Sequence, residues 1–249
     1  MRGDLDNLRV VLVATRNPLN IGAAARAMSN FGARHLRLVT PYEVAFREAR
    51  SAVGAAELMS SAREYGTVAD AVADCTLVVG TTAAGRRELQ HELQRLEQGG
   101  RTIRRQLGAG RVALLFGSEK VGLSNEGMSH CHWLMRIPTR AGHGSMNLGQ
   151  AVAICLYELV RLGKIPTAKN GKTVANAADL ERLTQVLFEL LDASGYVKPR
   201  VATATEEKLR RMMRRMNLSS ADAGLWLGML RQIRWKLGAR EFDAEPNED

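Results

Sequence analysis

No run of eighteen or more apolar residues occurs in the 249-residue chain, which excludes a membrane-spanning helix of ordinary length. The opening Met1-Arg2-Gly3-Asp4-Leu5-Asp6 lacks the apolar core of a secretory leader, so a soluble, cytoplasmic protein is expected. Cysteine is scarce: Cys75, Cys131 and Cys155 are odd in number, far apart and set in apolar or strand-like surroundings. That pattern argues against a disulfide framework and fits a reducing compartment. With aromatic residues at 5%, a base-stacking platform for single strands is poorly supplied. No G-x-G-x-x-G follows the first strand-like run, so the usual dinucleotide fingerprint is missing. No internal repeat is present.

What the chain has in excess is positive charge. A formal net charge of +9 implies a polyanionic partner. The length accommodates one large domain, or a domain of about 150 residues plus a small module, and in either case a buried core. Five short, mostly apolar runs bounded by turn residues read as buried strands: Arg9-Val10-Val11-Leu12-Val13-Ala14, Leu36-Arg37-Leu38-Val39, Thr76-Leu77-Val78-Val79, Val112-Ala113-Leu114-Leu115-Phe116 and Trp133-Leu134-Met135-Arg136-Ile137. Helical stretches lie between them, notably 22–30 and 43–61. Such alternation predicts an α/β domain, a parallel sheet with helices on both faces, over residues 1–163.

From Asn147 the positions Leu148, Ala151, Val152, Cys155, Leu156 and Leu159 keep helical spacing, with Ser145 as a candidate cap, and Leu162-Gly163-Lys164-Ile165-Pro166 ends the helix. Residues 164–178 read as a linker. Beyond it, Leu180, Leu183, Leu187, Leu190 and Leu191 share one helical face and Trp226, Met229, Leu230, Ile233 and Leu237 another, predicting a small all-helical module over 179–240. The acidic stretch 241–249 has little apolar content and reads as a disordered tail.

Three segments each read as a strand, a polar or glycine turn, then a helix. They are Asn17-Pro18-Leu19-Asn20-Ile21-Gly22-Ala23-Ala24-Ala25-Arg26-Ala27, Phe116-Gly117-Ser118-Glu119-Lys120-Val121-Gly122-Leu123-Ser124, and the stretch from Gly144 through Ser145, Met146 and Asn147. The second has the glycine and serine spacing of a phosphate-binding loop, but Leu123 stands where the phosphate-reaching lysine is required, which removes triphosphate hydrolysis. Glu119, a carboxylate at the carboxyl end of a buried strand, lies where open sheets place ligands. Arg26 is a lone charge among alanines, suited to bind phosphate. His130, Cys131, His132 and His143 invite a metal site, yet strand alternation turns Cys131 away from its neighbours, so no metal is expected. His143 stays open as a substrate contact or an ordinary loop histidine. Lys198, Arg200, Lys208, Arg210, Arg211, Arg214 and Arg215 outweigh Glu206 and Glu207, and read as contacts to a nucleic-acid backbone. Arg86, Arg87, Arg95, Arg101, Arg104 and Arg105 form a second basic cluster.

In order and spacing these three segments resemble the motifs of the SpoU class of SPOUT RNA methyltransferases, and within it the bacterial TrmJ-type tRNA ribose methyltransferases. That likeness extends to Asp179-Leu180-Glu181-Arg182-Leu183 and Lys208-Leu209-Arg210-Arg211. The resemblance implies a trefoil-knotted α/β domain, a homodimer with active sites near the interface, and S-adenosylmethionine-dependent 2′-O-methylation of tRNA at nucleotide 32 of the anticodon loop. It assigns cofactor contacts to Thr81, Thr82, Ala83, Gly117, Ile137, Ser145 and Met146. It assigns the polar positions around the reacting atoms to Asn20, Arg26, Glu119, Ser145 and Asn147. A guanidinium stays protonated at neutral pH, so Arg26 is expected to clamp phosphate and stabilise the alkoxide rather than act as a base. Ser118 departs from the basic residue expected beside the glutamate, which bears on substrate selection. The alternatives are methylation of ribosomal RNA or another tRNA position, a catalytically silent RNA-binding or assembly factor, and a small-molecule nucleotide enzyme.

Overall fold

The computed structural model describes residues 5–41, 54–83, 89–140, 145–165 and 173–242. Arg86, Arg87, His143, much of the 43–61 helix, part of the linker and most of the acidic tail lie outside them. Among the described residues seven strands form one sheet: β1 Leu8–Val13, β2 His35–Val39, β3 Arg63–Tyr65, β4 Leu77–Thr81, β5 Leu93–Arg95, β6 Val112–Phe116 and β7 Trp133–Arg136. Their order is β3-β2-β1-β6-β4-β7-β5, and every pairing is parallel. The five apolar runs are strands. The edge strands β3 and β5 are three residues long, and their sequences Arg-Glu-Tyr and Leu-Gln-Arg carry no apolar run that could announce them.

Alternation along the central strands builds a core on each face. Val10 and Leu12 of β1 and Leu114 and Phe116 of β6 face one way. They meet Ile21 and Met28 of α1 (Pro18–Phe31), Ile103 of α4 (Leu96–Leu107) and Val152 and Leu156 of α6 (Leu148–Val160). Val11, Ala113 and Leu115 face the other side, against α3 (Val68–Val72) and α5 (Asn125–Ser129). A short helix α2, Ala56–Ser60, completes the domain.

Helix α1 begins at Pro18, one turn earlier than the apolar pattern suggests. The Asn17 side chain accepts from the Leu19 amide at 2.9 Å and Pro18 presets the first turn. It packs on α6 at close range, because a Cβ at Gly149 would come 2.6 Å from the Ala23 Cβ.

Three further helices follow: α7 Ala177–Ala193, α8 Ala202–Arg215 and α9 Ser220–Phe242. They share a core of Leu180, Leu183, Leu190, Met213, Ala223 and Leu230. They are also joined to the sheet domain. The amides of Ala177 and Ala178 donate to the carbonyls of Cys75 and Ala73 at 2.8 and 3.1 Å, and Ala177 is buried in the sheet's second core. The end of the expected linker is held as well, with Ala175 N–H on the Leu218 carbonyl at 3.0 Å. On α9 the expected stripe divides: Leu230 is buried, while Trp226, Met229, Ile233 and Leu237 are 41–50% exposed. Helix α7 meets the side carrying Ala223 and Leu230, leaving the other side of α9 in solvent among the described residues.

Two stability measurements follow from this packing. Gly149→Ala forces α1 and α6 apart and should cost about 1–3 kcal/mol, the scale for overpacking, in chemical denaturation. His132 joins β7 to β4 by accepting the Val78 amide on Nδ1 at 3.1 Å. Burial, aided by nearby Arg214, pushes its imidazole down to about 3. The folded protein keeps His132 neutral where the unfolded chain protonates below about pH 6.5. Stability is therefore complete above that pH and falls as pH drops toward 3, by up to about 1.4 kcal/mol per pH unit for this group. His132→Asn keeps an acceptor for Val78 without titrating, so denaturation across pH 4–7 should show a shallower decline.

Candidate functional site

The loops leaving the carboxyl ends of β4, β6 and β7 converge on a cavity of about 380 Å³, within the range of small-ligand sites. Thr81, Thr82 and Ala83 line it from the first loop, Gly117 and Glu119 from the second, and Ile137, Ser145 and Met146 from the third. All seven positions expected to contact a cofactor are brought together here. Further walls come from Phe116 and Leu123, which stand inside the second motif segment without having been expected as contacts, and from Leu148 and Ala151, which read in the sequence as the buried face of a helix. Ser118, Lys120 and Thr139 add polar edges.

The second loop doubles back on itself. Gly117 approaches so closely that a Cβ would lie 2.0 Å from the Gly122 carbonyl carbon and 2.1 Å from the Leu123 nitrogen. Ser118 and Gly122 pair across the turn, the Gly122 amide donating to the Ser118 carbonyl at 2.8 Å, and Gly122 takes φ +71°, where glycine is favoured. Thr81 is fixed from behind, its hydroxyl donating to the Leu115 carbonyl at 2.8 Å. The cavity thus offers apolar walls for a flat ring, hydroxyl and backbone groups for polar edges, and two charges at Glu119 and Lys120. This donor set suits an adenosine-bearing ligand with a charged tail.

A line of side-chain hydrogen bonds runs from Glu119. Asn20 Nδ2 donates to Glu119 Oε1 at 2.9 Å, and Asn147 Nδ2 donates to Asn20 Oδ1 at 2.8 Å. The amides of Arg16 and Asn17 approach the same carboxylate at 3.4 Å. Asn147, rather than Ser145, caps α6, because its Oδ1 accepts from the amides of Gly149 and Gln150 at 3.0 and 3.3 Å. Four of the five expected reacting-centre positions therefore gather within one chain.

Arg26 does not join them. It lies on the exposed side of α1, where a Cβ at Gly54 would come within 3.4 Å of its Nη1, and it does not line the cavity.

The expected RNA-contacting run is divided by the fold. Lys198, Arg200, Lys208 and Arg215 are exposed, whereas Arg210, Arg211 and Arg214 are 7%, 7% and 1% exposed. Glu181 of α7 draws the buried pair inward: Arg210 Nε donates to both its oxygens at 3.0 Å, and Arg214 Nη2 lies 3.5 Å from Oε2. Arg211 turns to Gln90 and Glu207. These three arginines are buried against protein carboxylates and amides, not on the surface at which the sequence reading placed them. In the second basic cluster Arg104 is likewise buried, donating to the carbonyls of Leu159, Gly163 and Lys164 at the end of α6, while Arg95, Arg101 and Arg105 are exposed. His130 pairs with Glu126 at 3.0 Å.

The model of the SpoU rRNA Methylase family matches residues 7–157, a span that contains the whole cavity and its hydrogen-bonded rim. The chain belongs to the SpoU methylase family. It is 36% identical over 236 residues to the tRNA (cytidine/uridine-2′-O-)-methyltransferase TrmJ of Sodalis glossinidius, covering 92% of each chain. It is 34% identical to TrmJ of Escherichia coli K12, covering 92% of this chain and 96% of that protein. The crystal structure of TrmJ from Z. mobilis ZM4 superposes with a TM-score of 0.80 at 31% identity, covering 91% of this chain and 98% of that one. The SpoU match ends at residue 157, and these TrmJ similarities extend into the C-terminal helices.

Asn147 serves both as helix cap and as donor to Asn20, and two variants separate these roles. Asn147→Ala should lose about 1 kcal/mol of stability with the cap. Asn147→Asp keeps the capping oxygen but not the donor. It should retain most of the stability in denaturant titration while losing methyl transfer as severely as the alanine variant.

Proposed function

We infer that the chain is an S-adenosylmethionine-dependent tRNA 2′-O-methyltransferase acting on cytidine or uridine ribose, and we propose nucleotide 32 of the anticodon loop as its target. The observation that carries the reading is the cavity at the ends of β4, β6 and β7 with the Glu119, Asn20 and Asn147 line beside it. Family membership and the TrmJ similarities support the reaction. The choice of nucleotide rests on likeness to the TrmJ-type group.

When bound, S-adenosylmethionine supplies an electrophilic methyl group on a sulfonium. Thr82, Ala83, Gly117, Ile137 and Met146 would hold it, with Phe116 and Leu123 excluding water from its apolar side. Glu119, restrained by Asn20 and two backbone amides, contributes a fixed negative charge beside the cavity. Ser145 and Asn147 orient the incoming hydroxyl, and Arg26 clamps the adjacent phosphate and stabilises the developing alkoxide.

Arg26 on an outer face suits a homodimer. Leu19, Tyr157 and Leu162 of the α1 and α6 region are 78%, 56% and 53% exposed, an apolar surface that a second copy of this chain would cover. Pairing across it would bring Arg26 to an interface. The trefoil-knotted passage belongs to the same reading. Lys198, Arg200, Lys208 and Arg215 are the remaining proposed contacts to the tRNA backbone.

Methyl transfer from labelled S-adenosylmethionine to bulk tRNA and ribosomal RNA, followed by mapping, tests the proposal. Label at the nucleotide 32 ribose supports it. Label elsewhere in tRNA or in ribosomal RNA selects the alternative substrates, and RNA binding without label selects a silent factor. Calorimetry after exhaustive chelation should still detect cofactor binding. Arg26→Ala should slow single-turnover methylation by about 100-fold or more with cofactor affinity retained, and Arg26→Lys should recover only part of it. Removing Lys208 or Arg215 should lower the magnitude of the log-affinity versus log-salt slope by about 0.7–0.9 per lost phosphate contact.

A further inference from the structure

Arg210, Arg211 and Arg214 are buried, and Arg210 reaches the helix that leads out of a cavity-lining loop. Helix α5 follows directly from the loop that forms one cavity wall: Leu123 lines the cavity, and the Ser124 hydroxyl caps α5 by accepting the Gly127 amide at 3.0 Å. The Met128 amide also returns to the Ser124 carbonyl at 2.9 Å. At five residues α5 is far too short to hold itself together in water, so its position depends on what packs against it.

At its far end stands Ser129, which is fully buried. Its hydroxyl donates to the Glu126 carbonyl at 2.6 Å and accepts from Arg210 Nη1 of α8 at 3.1 Å. Arg210 is itself held from three directions. Glu181 of α7 takes its Nε and Nη2, Glu206 takes Nη2 at 2.5 Å, and Ser129 takes Nη1. Next to Ser129, His130 bonds Glu126 at 3.0 Å and lies 3.7 Å from Glu181. A guanidinium fixed by two carboxylates on its own helical module is a rigid probe, and the group it reaches in the catalytic domain is the end of α5.

We propose that Arg210 is a positioning residue for the cavity: through Ser129 it fixes α5, and through the Ser124 cap it fixes the loop 117–123. The inference rests on the reading of the cavity as a cofactor site, and it assigns the C-terminal helices a part in cofactor binding that is separate from contact with RNA. It also gives the buried Arg210 a use other than contact with RNA.

Hydrogen exchange in the ligand-free protein tests the positioning, read at the amides of Gly122, Gly127 and Met128 against those of α7 as an internal reference. Ser129→Ala deletes one hydroxyl, and Arg210→Lys keeps the charge while losing the fork. Each should accelerate exchange at the three amides by about tenfold relative to α7, and should weaken S-adenosylmethionine binding by a similar factor in calorimetry. The double variant should be no worse than the more affected single one, since both changes break one path. Unchanged relative exchange in Ser129→Ala overturns the proposal even if Arg210→Lys fails to fold. Loosened amides with unaltered cofactor affinity overturn it also. A wild-type protein that never binds S-adenosylmethionine while its variants loosen the loop refutes the assigned reaction and leaves the positioning role of Arg210 standing.

Discussion

The contacts from Asn147 through Asn20 to Glu119 join segments separated by 127 and 99 residues, and the remainder of the site is arranged around that line. Each member has a second duty. Asn147 caps α6, Asn20 sits where α1 starts, and Glu119 occupies the turn after β6. Both ends of an amide are used when Asn20 donates through Nδ2 and accepts through Oδ1. An aspartate of the same shape could not do this while ionised. The close approach at Gly149 and Ala23 has the same logic, since it lets α1 and α6 bring their N-termini to one carboxylate.

The sheet determines where this happens. Parallel strands send their following loops to one end, and the order β1-β6-β4-β7 puts the three loops that matter beside each other. A sequence shows the loops as three separate turns. Their juxtaposition comes from a strand order in which β4 lies between β6 and β7, and no local pattern encodes that order.

Central strands were legible because buried parallel strands are continuous apolar runs, and cavity positions such as Gly117, Ile137 and Met146 were legible through motif resemblance. Other features were hidden for identifiable reasons. β3 and β5 depend on a neighbour rather than on their own composition. The start of α1 is set by Asn17 and Pro18, which apolar periodicity ignores. Leu123 and Leu148 line the cavity with side chains of the same kind that fill the core, so only position distinguishes them. Burial was hidden most at Arg210, Arg211 and Arg214, because a run of cations reads as an exposed surface until their acceptors are known. Glu181, 29 residues before Arg210 and on another helix, is the acceptor that turns Arg210 and Arg214 inward, while Arg211 turns to Gln90 and Glu207.

The same arginines constrain how the C-terminal helices can act. Burial pushes the Arg214 guanidinium down to about 10, which still leaves it charged near neutrality, with Glu181 as the nearest compensating carboxylate. Buried ion pairs of this kind contribute little net stability, because desolvation offsets most of the attraction, yet breaking one side leaves a charge stranded at considerable cost. They therefore select one arrangement more than they strengthen it. A guanidinium committed to Glu181 cannot also neutralise a phosphate and release its counterions, so inward pairing and RNA binding are exclusive uses of one cation. The fold commits Arg210 and Arg214 inward and leaves Lys198, Arg200, Lys208 and Arg215 exposed. One basic run is thereby split between cations paired inside the protein and cations left exposed, and only the second set is available to the proposed RNA.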